Sequence, residues 1–448
     1  MKNEPAFAVW IARQAALSAA ALERVISAGH RVRCRDVFGQ VVVPARGSVL
    51  ASPVIGDWDP EPDYFFHWVR DSAIVMRTVA ELMEDAADGA ARDHWRGHFE
   101  DFVRFSLSLT EIDGEAVLAT SGHRAVTRRG FRRFLRPDAQ IRALSGDRLL
   151  GEPRFNPDGT PDVLRWSRPQ YDGPALRASA CLRYLKAGGP ETPELARLLA
   201  IDLDFTIRHA DRRCIGPWEE AGQNTHHYYT ALVQLGAIVH GRAWAGERAG
   251  RDWRKAERRL RAGLDRHWSD RHQVYMAIRD TEANSADDLV DAAILLAVLD
   301  ADLPEGPHSP FDPRVAATQA ALESLFEREF PINGDLPPGH APALGRSRAD
   351  RYFGGGAWLP TTLAAATLCY RRALAPGEDR EAHRRRGNAF MDTLRRLVPI
   401  DGTLPEQVDR ASGASASSPD LAWSHAAFLS VARLIVGSDT IREGIEGT

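Results

Sequence analysis

Trp166-Ser167-Arg168-Pro169-Gln170-Tyr171-Asp172-Gly173-Pro174-Ala175-Leu176-Arg177 passes from an aromatic, charged loop straight into a helical pattern. Asp-Gly-Pro reads as a turn that sets a proline into the first turn of the following helix. Apolar residues then recur at helical spacing to about residue 187. Working outward, the same loop-then-helix passage repeats. It predicts helices over about 7–28, 71–87, 91–109, 193–210, 224–246, 251–269, 286–300, 313–326, 358–373, 380–397 and 418–436. Only 31–54, with its alternating and β-branched stretches, reads as two or three short strands.

Twelve helices without a strand-rich half predict an all-α chain, and paired hairpins closed into a ring give an (α/α)6 barrel. Closure removes the ends that an open array would have to cap. An open helical-repeat array is the alternative, but the chain shows no fixed period and its loops are uneven. Two of them, 111–172 and 327–357, exceed what a compact domain carries without a purpose, and both are dotted with Trp, Arg, Asp and Gly. Ordered long loops build sites. No Pro- or Ser-rich linker divides the chain, so residues 1–448 read as one domain.

With 44% hydrophobic and 26% charged residues, the 448-residue chain has the make-up of a globular protein. A net charge of −4 gives no pull toward nucleic acid. Cys34, Cys181, Cys214 and Cys369 lie too far apart in sequence for a zinc motif or a disulfide framework. No apolar run reaches membrane-spanning length, and the N-terminus lacks the pattern of a secretion signal. A cytoplasmic protein with no membrane or nucleic-acid partner is expected; the sequence leaves its oligomeric state open.

Three further stretches carry chemistry. Asp63-Tyr64-Phe65-Phe66-His67-Trp68-Val69-Arg70-Asp71 surrounds an Arg-Asp pair with rings. Asp71 alone would read as a helix cap, but apolar faces beside fixed charges are also what a sugar site requires. Trp218-Glu219-Glu220 reads either as a solvated, acidic helix start or as a working pair, one carboxyl holding a proton and the other gripping a polar ligand. Leu404-Pro405-Glu406-Gln407, followed by Asp420-Leu421-Ala422-Trp423, places a glutamate in a loop where it would ordinarily face water. Trp166 and Arg168, at spacing two, would share one side of an extended strand.

Together these stretches resemble the glucoamylase family, glycoside hydrolase family 15, of the bacterial single-domain type. Ala51-Ser52-Pro53 with Asp63 to Asp71 looks like that family's first block, and Trp166 to Arg177 like its second. Gly345-Arg346, Asp350, Tyr352 and Trp358 keep the spacing of a fourth block, and Glu406 stands seventeen residues before Trp423 as the family's base does. The resemblance implies an (α/α)6 barrel and an inverting, exo-acting hydrolase that releases β-glucose from non-reducing ends of short α-glucans, without a cofactor or metal. Glu219 would be the general acid and Glu406 the general base, with Tyr64 and Ser417 holding the base and its water. Glu220 would bind the leaving sugar. Arg70, Asp71 and Arg346 would clasp glucose hydroxyls, and Trp68, Trp166, Arg168, Trp218 and Trp358 would line the pocket. Gly216-Pro217 departs from the leucine and aspartate of the best-known fungal members.

Other substrates and classes fit parts of the same pattern. The substrate could be α-1,6-linked isomaltose or its oligomers, or another short glucoside such as trehalose. The absence of a recognisable secretion signal or starch-binding module favours small substrates over granular starch. A carbohydrate-binding scaffold would have no need of both Glu219 and Glu406. A metal hydrolase is disfavoured because no HExxH occurs and His94 with His98 lacks acidic partners in a recognisable pattern. Gly354-Gly355-Gly356 follows no strand and leads to no Lys-Ser/Thr, which disfavours a phosphate site. The His226-His227 pair could touch a leaving sugar or cap a helix, and the cap is the simpler reading. Cys214 reads as a packed thiol.

Overall fold

The computed structural model describes residues 7–54, 63–220, 222–279, 281, 283–375 and 379–446, with backbone alone over 437–446. Among the described residues, twelve helices are nine residues or longer. They are Phe7–Val25, Val69–Glu84, Gly89–Leu109, Gly173–Lys186, Pro193–Arg208, Tyr228–Ala245, Arg251–Asp265, Ala293–Ala301, Pro313–Glu329, Leu359–Leu374, Arg380–Leu397 and Ala422–Glu446. None is long and apolar enough to cross a membrane.

Two compact units emerge, one from residues 7–23 and 264–446, the other from 24–54 and 63–263. In the second, Val69–Glu84, Gly173–Lys186 and Tyr228–Ala245 are buried on nearly every side. They pack against one another, and the one-sided helices Gly89–Leu109 and Pro193–Arg208 cover them. In the first, Leu359–Leu374, Ala293–Ala301 and the described side chains of Ala422–Glu446 are enclosed, with Arg380–Leu397 and Pro313–Glu329 outside. A helix that is apolar all round must be enclosed, and one with a single apolar stripe must not be. Tyr228–Ala245 and Ala293–Ala301 follow that rule, whereas Val69–Glu84 and Gly173–Lys186 also enclose charged residues, Arg70, Asp71 and Arg177, which must find partners inside. Arg177 and Asp202 then staple an inner helix to an outer one through paired bonds of 2.8 and 2.7 Å, both side chains buried.

Three details differ from the sequence reading. Residues 111–172 hold four short α-helices (Gly114–Ser121, His123–Val126, Asp138–Arg142, Gly146–Leu150) and a 3-10 helix (Arg129–Phe134), each too short for periodicity to reveal. Ile141 and Leu149 on these helices, with Leu135 and Leu144 between elements, join Phe66, Trp68 and Phe155 in one cluster. The helices expected from 224 and 286 begin at Tyr228 and Ala293, because Thr225 bridges back to Cys214 and Ala286–Asp288 is a separate 3-10 turn. Of the strands expected in 31–54, Arg33–Arg35 and Gln40–Val42 form an antiparallel hairpin, while Val49 makes only a single bridge to Ile26.

Small sheets elsewhere aim the loops. His67–Trp68 pairs with Arg154–Phe155, and Gln407–Val408 lies between Ala357–Trp358 and Ser415–Ala416. His67 is fully buried, its Nδ1 accepting from the Val49 N–H at 3.0 Å. Burial, with the charge of Arg177, pushes its pKa down to about 3 from 6.5. The unfolded chain therefore binds a proton that the folded chain refuses, and stability falls as pH drops from the unfolded value toward the folded one. We expect the urea-unfolding free energy of the wild type to fall between pH 6.5 and 4 more steeply than that of His67→Gln, by at most about 1.4 kcal/mol per pH unit. Parallel slopes would refute this.

Candidate active site

Glu219 enters its site through a tight turn. Its N–H donates to the Gly216 carbonyl at 3.1 Å, and its own φ is +61°. A non-glycine residue in that region costs on the order of 1 kcal/mol and is kept where surrounding structure over-determines it. The left-handed step parts the two adjacent carboxylates. Glu220 is exposed, whereas the Glu219 side chain is only 13% exposed and turns inward. Trp68 Nε1 donates to Glu219 Oε1 at 3.2 Å, Gln170 Nε2 donates to the same oxygen at 3.0 Å, and Trp166 Nε1 donates to Oε2. Arg70 lies 3.5 Å from Oε1.

Each donor is itself held. Trp68 ends the strand paired to Arg154–Phe155 and occupies the N-cap position of Val69–Glu84. Its ring meets Tyr64 edge-on at 5.3 Å and Trp166 at 6.2 Å, and the Arg154 guanidinium sits 3.8 Å over the Trp166 ring. Arg70 binds Asp172 at 2.6 Å, the Pro217 carbonyl at 3.0 Å and Gln170 Oε1. That last bond fixes which end of the Gln170 amide faces Glu219. Burial opposes the Arg70 charge, but Asp172 and Glu219 outweigh it and hold its pKa above the ordinary value. Asp172 caps nothing with its side chain; its carboxylate serves Arg70 instead. Asp71 likewise lies within the first helical turn, buried, rather than at the cap position.

Arg168 faces away from this cluster. It pairs with Glu152 at 2.7 Å and Asp162 at 3.1 Å; Glu152 also takes Arg136, and Asp162 takes Arg154. Residues 166–168 form no strand. Gln170, Arg154, Glu152 and Asp162 were not singled out from sequence. Gln170 could have been, since it sits inside the Arg168-Pro169-Gln170 block, but the other three carry no local signal.

The other unit presents Glu406. It is 3% exposed, contrary to the ordinary fate of a loop glutamate, and Ser417 Oγ donates to its Oε2. Ser417 also has a positive φ, +60°. The Glu406 backbone is pinned at both ends, its N–H to Ser418 O at 2.7 Å and its carbonyl to Leu359 N at 3.1 Å. Just upstream, the Pro405 carbonyl accepts from Ser424 Oγ at 2.9 Å. Trp358 precedes Leu359–Leu374 as Trp68 precedes its helix, and meets Trp423 edge-on at 6.1 Å. Arg346 pairs with Asp350, one bond being 2.8 Å, and lies 5.3 Å from the Trp358 ring centre. The expected residues thus gather in two groups, Tyr64, Trp68, Arg70, Trp166 and Glu219 in one unit, and Arg346, Trp358, Glu406 and Ser417 in the other.

A family model described as Glycosyl hydrolases family 15 matches residues 37–381. The chain belongs to that family. It is 26% identical over 434 residues to Glucoamylase-1 of Arthroderma benhamiae, covering 86% of this chain and 64% of that protein. Among solved structures, a family 15 glucoamylase from Hypocrea jecorina matches at a TM-score of 0.76 and 22% identity, over 97% of this chain and 73% of that one. A glycosidase variant in complex with glucose matches at 0.63 and 18%, over 96% and 98%. At such identities the likeness fixes the fold, which is the (α/α)6 barrel expected from the helix count.

Gly216, just before the acid turn, is closely approached by a side chain. The His227 ring packs onto Gly216, where an added Cβ would stand 2.5 Å from ring atoms Cε1 and Nδ1. His227 occupies the N-cap position of Tyr228–Ala245, but its ring makes no cap bond and pairs through Nε2 with the Gln223 carbonyl at 3.0 Å. His226 Nδ1 lies 3.5 Å from Asp211. Cys214 is a packed thiol, pushed up to about 12 mainly by burial. No group of three metal-ligating side chains occurs among the described residues. Gly216→Ala should cost about 1–3 kcal/mol through this overpacking. Urea unfolding measures it, and an unchanged midpoint would contradict the contact.

Proposed function

We propose that this chain is an inverting, exo-acting α-glucoside hydrolase that releases β-glucose from non-reducing ends of short α-glucans. The observation that carries the reading is Glu219, turned out of register from Glu220 and gripped by two indoles and an amide. Glu219 gives its proton to the glycosidic oxygen as the bond from C1 breaks, and its N–H donors then stabilise the carboxylate left behind. Glu406 takes a proton from the water that attacks the opposite face of C1. The sugar leaves with its oxygen protonated, and the new C1 hydroxyl is β. Inversion requires the two carboxyls to stand ~6.5–9.5 Å apart so that a water fits. The reading therefore takes both units as one catalytic domain.

Ser417 would orient the base and, with Tyr64, the water, and Glu220 would bind the leaving sugar. Asp71 and Arg346 would meet glucose hydroxyls, with Trp166, Trp218 and Trp358 around the ring. Arg70 and Arg168 are engaged mainly with buried carboxylates, which supports a role in holding the pocket alongside any contact with sugar. Four free cysteines accord with work in a reducing, cytoplasmic setting, on short imported substrates. Specificity for α-1,6 bonds would use the same carboxylates and differ only on the leaving side.

Glu219→Gln and Glu406→Gln should each lower kcat by several orders of magnitude while leaving circular dichroism unchanged. Near-wild-type turnover in either would sink the assignment. Offered maltose, isomaltose, panose, trehalose and soluble starch, the protein should act on short glucosides, and proton NMR should show β-glucose released first. First release of α-glucose would contradict inversion.

A further inference from the structure

We propose that Gln223 and His227 form a positioning pair that fixes Glu220 and so sets which leaving sugars are accepted. The inference rests on the reading of Glu220 given above and concerns residues that the reading does not use. Glu220 is exposed at the end of the acid turn, where a free glutamate would sample several rotamers. It is held instead. Gln223 Nε2 donates to its carboxylate, and the Gln223 N–H donates to the Glu220 carbonyl at 3.3 Å.

Gln223 is in turn fixed by His227, whose Nε2 lies 3.0 Å from the Gln223 carbonyl. As that oxygen can only accept, the ring must donate from Nε2. The ring cannot swing away. It is 7% exposed, wedged on Gly216, and the segment is shut by paired Cys214–Thr225 backbone bonds of 2.9 Å each. The chain of contacts runs from a buried ring, through one backbone carbonyl, to one exposed carboxylate. The Glu219 carboxylate, on the same turn, is held by a separate set of donors, so the two carboxylates are positioned by different side chains.

The separation gives a test that a general weakening of the fold would not mimic. α-Glucosyl fluoride has the same glucose but loses fluoride, so it has no leaving sugar to hold. We would measure kcat and KM on it, and on whichever of maltose and isomaltose is cleaved faster, for wild type, Gln223→Ala, His227→Leu and His227→Gln. In Gln223→Ala the ratio of kcat/KM for the disaccharide to that for the fluoride should fall about two- to fivefold, the loss expected for one exposed hydrogen bond to a charged group. His227→Leu should show the same fall, and His227→Gln, which keeps a donor of similar reach, should restore much of it. Melting followed by circular dichroism checks that each variant folds. If His227→Leu does not, Gln223→Ala decides. An unchanged ratio, or equal loss on both substrates, overturns the inference while leaving the hydrolase reading intact. A wild-type protein inert on all of them overturns the hydrolase reading and the inference with it.

Discussion

One buried guanidinium organises the acid side of the molecule. Arg70 rises from the first turn of a fully enclosed helix and must find partners for a charge that water cannot reach. Asp172 supplies the countercharge at the start of a neighbouring enclosed helix, and Pro217 supplies a carbonyl from the acid turn. Gln170 takes another N–H and passes the constraint on to Glu219. Removing one partner of such a set leaves an uncompensated charge, which costs more than the pair itself contributes. The acid is thus placed by the core's need to satisfy a charge, and its geometry is only as free as the packing of two helices allows.

The base is placed by other means toward a similar end. There the backbone is the instrument: Glu406 is clipped at N–H and carbonyl beside a three-stranded sheet, and Pro405 is tied to Ser424. Both groups share one local device, a two-residue strand ending in tryptophan at the N-cap position of an enclosed helix. The strand fixes where the indole starts and the helix fixes where it cannot go. Both groups also hold a residue with positive φ, Glu219 in one and Ser417 in the other. Strain of that kind persists where a side chain must point against the run of its loop.

Much of this was legible in the chain. Twelve long periodic segments gave the fold class, since periodicity over several turns reports burial directly. The stretches that hold Trp68, Trp166 and Glu219 were also conspicuous, because they are dense in tryptophan and charge, whereas Glu406 and Ser417 stood out only through the family resemblance. What stayed hidden has physical reasons. Arg154, Glu152 and Asp162 act only as a network, and no single one stands out among the many charges of 111–172. The short helices of that segment fall below the length at which a period can be counted. Asp71 looked like a cap and Asp172 like part of a turn because both chemistries are local, whereas Arg70 reaches Asp172 from 102 residues away. His227 likewise sits at a cap position, yet its ring works on Gly216 and Gln223.

The cysteines have a practical consequence. Three of the four are buried, and burial drives the Cys214 thiol up to about 12 and that of Cys369 up to about 11, which leaves almost no thiolate to react at neutral pH. Cys34 alone is exposed, on the hairpin formed by Arg33–Arg35 and Gln40–Val42. A maleimide dye or a solid support would therefore attach at a single defined point. The protein can be tethered or labelled there as it stands, with no cysteine removed from its interior.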